Sequence, residues 1–343
     1  MCKRFFFNIF IWALPALACV ACHEVEEWDN DAQGNFEALW TVVDEHYCFF
    51  EQKGVDWDAC RVKYGERVYN GMPSAMLFEV CAEMLDELQD GHVNLSSGFN
   101  TSYYTRWWSD YPQNFDERLV EQYYLGFDCH RLGAVQYNVL NENIGYVRYP
   151  SFASGLGSGN LDAILSYFSL CTGLIIDLRD NGGGSMDYAK DLARRLLRER
   201  TLAGYMVNKT GPGHNDVSEP FAYYFDPVPQ PNIAWAKPTV VLVNRSTFSA
   251  ANNFVSVVRY LPNVKIVGAR TGGGSGMPLN MELPCGWSVR MSSVSILDAR
   301  GQSTEGGIDP SPGCVVDLDP VAALSGHDTM IDRAIEILNN WPN

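Results

Sequence analysis

Positive charge is scarce in this chain. Its 343 residues hold 25 Lys+Arg against 41 Asp+Glu, a formal net charge of −16 at pH 7. A nucleic-acid surface needs clustered Lys and Arg to meet phosphates, so this balance argues against a nucleic-acid partner. Metal signatures are missing too. There is no HExxH, and beyond Cys22 no Cys-x-x-Cys and no His/Cys spacing of a zinc site. No period of about 20–50 residues marks a repeat protein. No apolar run within the folded part is long enough to span a bilayer. What is present suits a globular chain: 46% hydrophobic residues and only 19% charged ones. That is enough apolar material for a real core, and the length suggests two domains.

Met1–Cys22 reads as an address label. Lys3 and Arg4 form a basic start, Phe5–Leu14 an apolar stretch, and small residues lead to Cys19 and Cys22. This is a secretory signal pattern. A cysteine after small residues also resembles a bacterial lipoprotein processing site, with Cys22 the first choice and Cys19 the second. The expectation is an exported chain in the bacterial cell envelope, attached to a membrane through lipidated Cys22. An ordinary cleaved signal is the alternative. Residues 23–34 read as a solvated acidic tether. Ten cysteines, three of them in the first 22 residues, leave seven, an odd number that keeps at least one thiol unpaired. Cys81 falls on an apolar helix face and reads as a small core residue.

Residues 35–95 are expected to form a small helical domain. Asn35 could cap a helix with Phe36, Leu39, Trp40, Val43 and Tyr47 on one face. Asp56 could cap a second helix carrying Val62, Val68 and Tyr69. Ser74 could cap a third, whose Leu77, Val80, Cys81, Met84, Leu85 and Leu88 make a strong amphipathic stripe. Residues 96–140 are an aromatic-rich connecting segment. Its rings could line a peptide groove, but strands burying them against a neighbour are the reading adopted. Residues 141–343 then alternate short apolar strands (144–148, 174–178, 239–243, 264–268) with helices, which implies an α/β core.

Four segments could carry chemistry. In the first, the strand 239–243 runs through Asn-Arg-Ser-Thr-Phe into a helix that starts near Ser249. A hydroxyl there lies beside free helix N–H groups, and the N–H of Ala250 could face a developing oxyanion. The bland reading is that Ser246, Thr247 or Ser249 is an N-cap. In the second, Asp177-Leu-Arg-Asp-Asn-Gly182-Gly183-Gly184 ends a strand in three glycines. Such a turn can aim N–H groups at an anion. No Lys follows as in a phosphate-binding loop, so an oxyanion hole is the better functional reading and a plain strand–helix turn the bland one. The third is His92, following the third helix. The fourth is Glu305, on a Gly-rich turn. Nothing calls for a cofactor or a metal.

Taken together, GVDW and LQDGHVNL, then GLIIDLRDNGGG, VVLVNRSTFSAANNF, KIVGARTGGGSGMP and EGGIDP resemble the tail-specific, or C-terminal-processing, serine peptidases in their tricorn-core-like branch. The resemblance covers most of residues 31–315. It implies a crotonase/ClpP-like core of stacked ββα units with a small N-terminal helical domain, and hydrolysis of peptide or protein substrates. It makes Ser249 the nucleophile, with Ala250 and Gly183 as oxyanion donors and Gly182 as a less certain third. One branch of the family activates its Ser with a Lys in a Thr-x-Gly-Lys-Gly setting. Here Gly274 takes that Lys position, and Lys265 lies within a strand. The other branch uses His, Ser and Glu, which His92 and Glu305 match. Gly91 replaces the Ser that should precede the His, so Glu305 would act directly or through a bridge, and Asp90 is a rival orienter. The stretch from His92 to Ile144 is too short for a PDZ module plus linkers. The competing readings are an inactive relative that binds peptides or other ligands in the same groove, a crotonase-like enzyme acting on thioesters, and a structural envelope protein.

Overall fold

The computed structural model describes residues 28–342. The leader, both candidate lipidation cysteines and the first part of the tether lie outside the described residues. Two six-stranded sheets organise the rest.

The central sheet runs in the spatial order Val264–Gly268, Thr239–Val243, Gly173–Asp177, Ile144–Arg148, Val135–Leu140, His130–Leu132. The first four strands are parallel and the last two antiparallel. Every residue of Ile144–Arg148, Gly173–Asp177 and Thr239–Val243 is buried. Helices cover both faces, so these strands read as unbroken apolar runs with no alternation. On one face pack the helices Ser158–Tyr167, Met186–Arg194 and Ala250–Val258, through Ile164, Leu192, Phe254 and Val258. On the other lies the helix Thr329–Asn339, whose Met330, Ile331 and Ala334 join Ile175, Val240 and Val267. The α/β architecture is therefore the one expected. The four expected strands are all present, with one shifted by a residue to Gly173–Asp177.

The second sheet is antiparallel and built around the long strand Ser288–Leu297, which pairs with Asn94–Ser96, Gly276–Glu282 and Thr201–Asn208. Thr101–Tyr103 and Phe221–Phe225 add to it. The helices Ala32–His46, Trp57–Gly65 and Ser74–Asp86 share one apolar core with this sheet, where Phe36, Trp57 and Met84 meet Leu283, Val289 and Met291.

Several local expectations need correction. The first helix begins at Ala32 and is capped by Asp31, whose side chain accepts from the Gly34 N–H. Asn35 is buried inside that helix instead, and accepts from the Cys285 N–H at 2.8 Å. A tertiary acceptor role has displaced its capping role. Asp56 does cap Trp57–Gly65, accepting from Ala59. That helix, however, buries Trp57, Cys60 and Tyr64, while Val62 and Tyr69 are exposed. Ser74 is the first helical residue and makes no side-chain cap bond. The stripe from Leu77 to Leu88 is buried as expected, Cys81 included. All seven cysteines of the described residues are free thiols. The aromatic segment departs furthest. Tyr103, Trp108, Tyr111, Tyr123 and Phe127 are exposed, and most of this stretch is short helices and loop.

Candidate active site

Two turns at the C-terminal edge of the central sheet interlock. After Gly173–Asp177, the chain turns through Arg179 to Gly183. After Thr239–Val243, it turns through Asn244 to Ser249. The Asp180 N–H donates to Asn244 Oδ1 at 3.0 Å, Thr247 Oγ1 donates to the Leu178 carbonyl at 2.8 Å, and the Phe248 N–H donates to the Asn181 carbonyl at 3.0 Å. The Arg179 guanidinium anchors the first turn from below. It is fully buried, and donates to Asp177 at 2.6 Å and to Asp328 at 2.7 Å. A buried cation is tolerable only with such pairing.

Ser249 has φ 55° and ψ −121°, and its side chain caps no helix N–H. A non-glycine residue in this conformation costs on the order of 1–3 kcal/mol and must be held by its surroundings. Those surroundings are visible. The Ser249 N–H donates to the Gly273 carbonyl at 2.8 Å, and its carbonyl accepts from the Asn253 N–H at 2.9 Å. The N-cap reading is thereby set aside, and the hydroxyl is left for another partner. That partner is His92, whose Nε2 lies 2.9 Å from Ser249 Oγ.

The imidazole is buried, and burial is the main cause holding its pKa below the ordinary histidine value. Asp90 opposes that shift, while Arg290 and Lys53 add to it. The ring therefore stays neutral and able to accept a proton near pH 7. If Ser249 donates to Nε2, the ring proton sits on Nδ1. No partner among the described residues meets that buried nitrogen. Neither expected orienter touches it. Asp90 accepts from the His92 backbone N–H at 2.8 Å, from Ser292 Oγ at 2.9 Å and from Tyr47 Oη at 3.1 Å.

Glu305 makes no direct contact with His92 either, so of the two expected arrangements, direct and bridged, the direct one is not seen. It accepts from the Ser275 N–H at 2.7 Å and pairs with Lys53 Nζ at 3.2 Å. Burial, then the charge of Asp90, push its pKa up to about 7 against the opposing Lys53 and Ser275. Lys53 also donates to the Gln89 carbonyl at 3.0 Å. It thus ties the turn that carries His92 to the Gly273–Ser275 stretch that supports Ser249. Lys53 carries no signature in the sequence, because its partners lie far along the chain.

The imidazole packs at a tilt against the first ring of an aromatic stack, Phe248 on Trp107. The Phe248 ring lies 4.8 Å from the His92 ring and 4.0 Å from the Trp107 ring, centroid to centroid. This stack explains both glycine replacements. A Cβ on Gly91 would lie 2.5 Å from Trp107 Nε1, and one on Gly274 would lie 2.4 Å from the Phe248 ring. No Ser fits before His92 and no Lys fits at 274 while the stack is in place. Trp107 was legible only as one aromatic among many.

The oxyanion candidates divide. The Ala250 N–H opens the helix and makes no hydrogen bond among the described residues. Gly183 has φ +95°, and a Cβ there would lie 2.7 Å from Ser249 Cβ and 2.9 Å from the Ala250 nitrogen. Only glycine lets that backbone come so close. Its own N–H, however, donates to Asn181 Oδ1 at 2.9 Å, so it does not face the Ser249 void in this state. Gly182 borders open space. Beside Ser249 lies a cleft of about 100 Å³, lined by Met186, Met277 and Ile296 and by the polar Asn252, Asn253 and Arg290. No cluster of metal-binding side chains occurs among the described residues.

Comparison with known proteins fits this geometry. Residues 143–311 match the model of peptidase family S41, and residues 29–86 match the tricorn protease C1 domain. A candidate peptidase from Parabacteroides merdae ATCC 43184 shares 46% identity and superposes with a TM-score of 0.85, over 90% of this chain and 97% of that one. The chloroplastic C-terminal processing peptidase of Tetradesmus obliquus is 28% identical over 186 residues, 52% of this chain and 36% of that protein. The chain thus spans about a third of the length of that curated relative. The tricorn protease is alike in fold, with a TM-score of 0.56 and 17% identity over 90% of this chain and 37% of that one. The chain belongs to peptidase family S41, a family of serine-type peptidases.

Proposed function

We propose that this chain is a serine endopeptidase in which Ser249 attacks a peptide carbonyl and His92 is the general base. The single observation that supports this most is the 2.9 Å approach of His92 Nε2 to the hydroxyl of a strained Ser249. In this mechanism His92 takes the hydroxyl proton as the Oγ–C bond forms, then gives it to the departing amine as the C–N bond breaks. Water, activated by the same ring, releases the acyl group. The Ala250 N–H is the first oxyanion donor. The Gly182–Gly183 peptides supply the second once Asn181 lets go of the Gly183 N–H. Glu305 is a positioning residue that acts on Ser249 through the Ser275–Gly273 loop.

We read residues 35–95 as the part supplying the base, 96–140 as the connector and 141–343 as the peptidase core. Export and lipid attachment at Cys22 belong to the same proposal and rest on the pattern of the first 22 residues. Mass spectrometry of the mature N-terminus tests them: an unmodified residue other than cysteine refutes the anchor. No helix of the described residues is long and apolar enough to cross a membrane.

A fluorophosphonate probe tests the chemistry. Wild type should label, and Ser249→Ala and His92→Ala should not. Labelling that persists in Ser249→Ala disposes of the nucleophile. A second reading, an inactive relative that binds peptides in the same cleft, draws on the unpartnered Nδ1 and the occupied Gly183 N–H. A folded wild type that binds peptides but neither labels nor cleaves would favour it.

A further inference from the structure

Arg290 stands in the cleft beside Ser249 with its charge unspent. It is half-buried on the strand Ser288–Leu297 and lines the same space as Ser249, Asn252 and Gly274. It makes no hydrogen bond and no salt bridge with any of the described residues. The two carboxylates of the site are committed elsewhere, Asp90 to Tyr47 and Ser292, and Glu305 to Lys53 and Ser275. Its charge is nevertheless felt at the imidazole.

The sheet register builds a row around it. Asn94 pairs directly with Arg290 on one side and Asn280 on the other, and Tyr103 pairs with Asn94 in turn. Directly opposed residues share a face of a sheet, so two carboxamides flank Arg290 on that face and the Tyr103 phenol lies one strand further out. The adjacent row, Leu95, Val289 and Met281, belongs to the opposite face and packs in the apolar core with the helices. Asn94 also follows His92 by two residues, and its Nδ2 donates to the His92 carbonyl at 3.4 Å, which ties the row to the turn that carries the imidazole, while Arg290 is its member in the cleft. A planar, always-charged fork flanked by amide donors matches a carboxylate. On a chain of net charge −16, such a group approaches against the overall field, so an unpaired local cation is what makes its arrival favourable.

We propose that Arg290, with Asn94 and Asn280, forms a substrate subsite that binds a carboxylate of the peptide next to the scissile bond. The inference rests on the peptidase reading above. The carboxylate is that of an acidic side chain or that of the peptide's own C-terminus, and the experiment separates the two.

Internally quenched peptides are compared in pairs. In one set Glu replaces Gln at each position flanking the cleaved bond. In the other a free C-terminus replaces an amide. Affinity of the same peptides for Ser249→Ala, read by fluorescence anisotropy, gives the same ratios without turnover. Wild type should favour the acid member of at least one pair by about 10- to 100-fold, the value of one charged hydrogen-bonded contact. Preference confined to the side-chain set assigns an acidic residue, and preference confined to the terminal set assigns the α-carboxylate. Arg290→Gln should bring the ratio close to one, and Arg290→Lys should retain part of it. Ratios near one in wild type for every pair overturn the subsite, as does a preference that survives Arg290→Gln. Failure of the peptidase reading shows separately, as absence of fluorophosphonate labelling in wild type.

Discussion

On the proposed mechanism, a serine placed before His92 should damage both stability and reactivity unless a tryptophan is trimmed at the same time. Gly91→Ser places a Cβ 2.5 Å from Trp107 Nε1, 2.8 Å from its Cδ1 and 3.0 Å from Phe248 Cζ. These are ring atoms of a stacked pair, and the backbone of Trp107 is itself held by the Arg245 guanidinium. They can yield only by moving together, and the His92 ring rests on Phe248. Overpacking of this kind costs about 1–3 kcal/mol. A displacement of about 1 Å in a catalytic group costs about a hundredfold in rate. Trp107→Ala should lose stability alone by removing the stack. Together with Gly91→Ser it should lose less than the two losses added, with a coupling of about 1–3 kcal/mol. The measurements are urea unfolding and the fluorophosphonate labelling rate of wild type, both single variants and the double variant. A Gly91→Ser protein as stable and as reactive as wild type would refute the reasoning, and so would strict additivity.

Two pH experiments complement this cycle. Because burial keeps His92 neutral, the labelling rate should hold as pH falls through the ordinary histidine range, and decline only below it. An acid limb at or above the free-histidine pKa contradicts this. Glu305 behaves in the opposite sense. Its folded pKa of about 7 lies above the usual 4.5, so it binds its proton more tightly in the folded state between those values. Its contribution to stability is full below pH 4.5 and is lost as pH rises through 7. The stability of wild type relative to Glu305→Gln should therefore fall by about 3 kcal/mol between pH 4.5 and 8. A flat or rising difference in urea unfolding would count against it.

The elements that could be read from sequence are those fixed by local pattern. Strands buried on both faces, such as Thr239–Val243, appear as unbroken apolar runs. The stripe of Ser74–Asp86 appears as a helical period. The parts that escaped depend on partners distant in sequence. Asn35 could be seen as a cap, but its bond to Cys285 could not. Ser249 fits both a cap and a nucleophile on paper, and only its backbone angles separate the two. Exposure of Tyr103, at the end of a short edge strand, and of Phe127, in a loop, follows from placements that no periodicity announces. Glu305 was found by motif, whereas its pairing with Lys53 was not, because a lone lysine before a glycine carries no pattern.

Lys53 grips the Gln89 carbonyl with one hydrogen bond and Glu305 with an ion pair, at the seam where the N-terminal helices meet the rest of the chain. That grip reinforces a broad seam, because the same helices also bury Phe36, Trp57 and Met84 against Val289 and Met291 of the antiparallel sheet. A boundary sealed by shared apolar contact cannot part while both sides stay whole. Helical circular dichroism and labelling by the probe should therefore disappear in a single urea transition, which makes the fold itself the guardian of the His92–Ser249 approach.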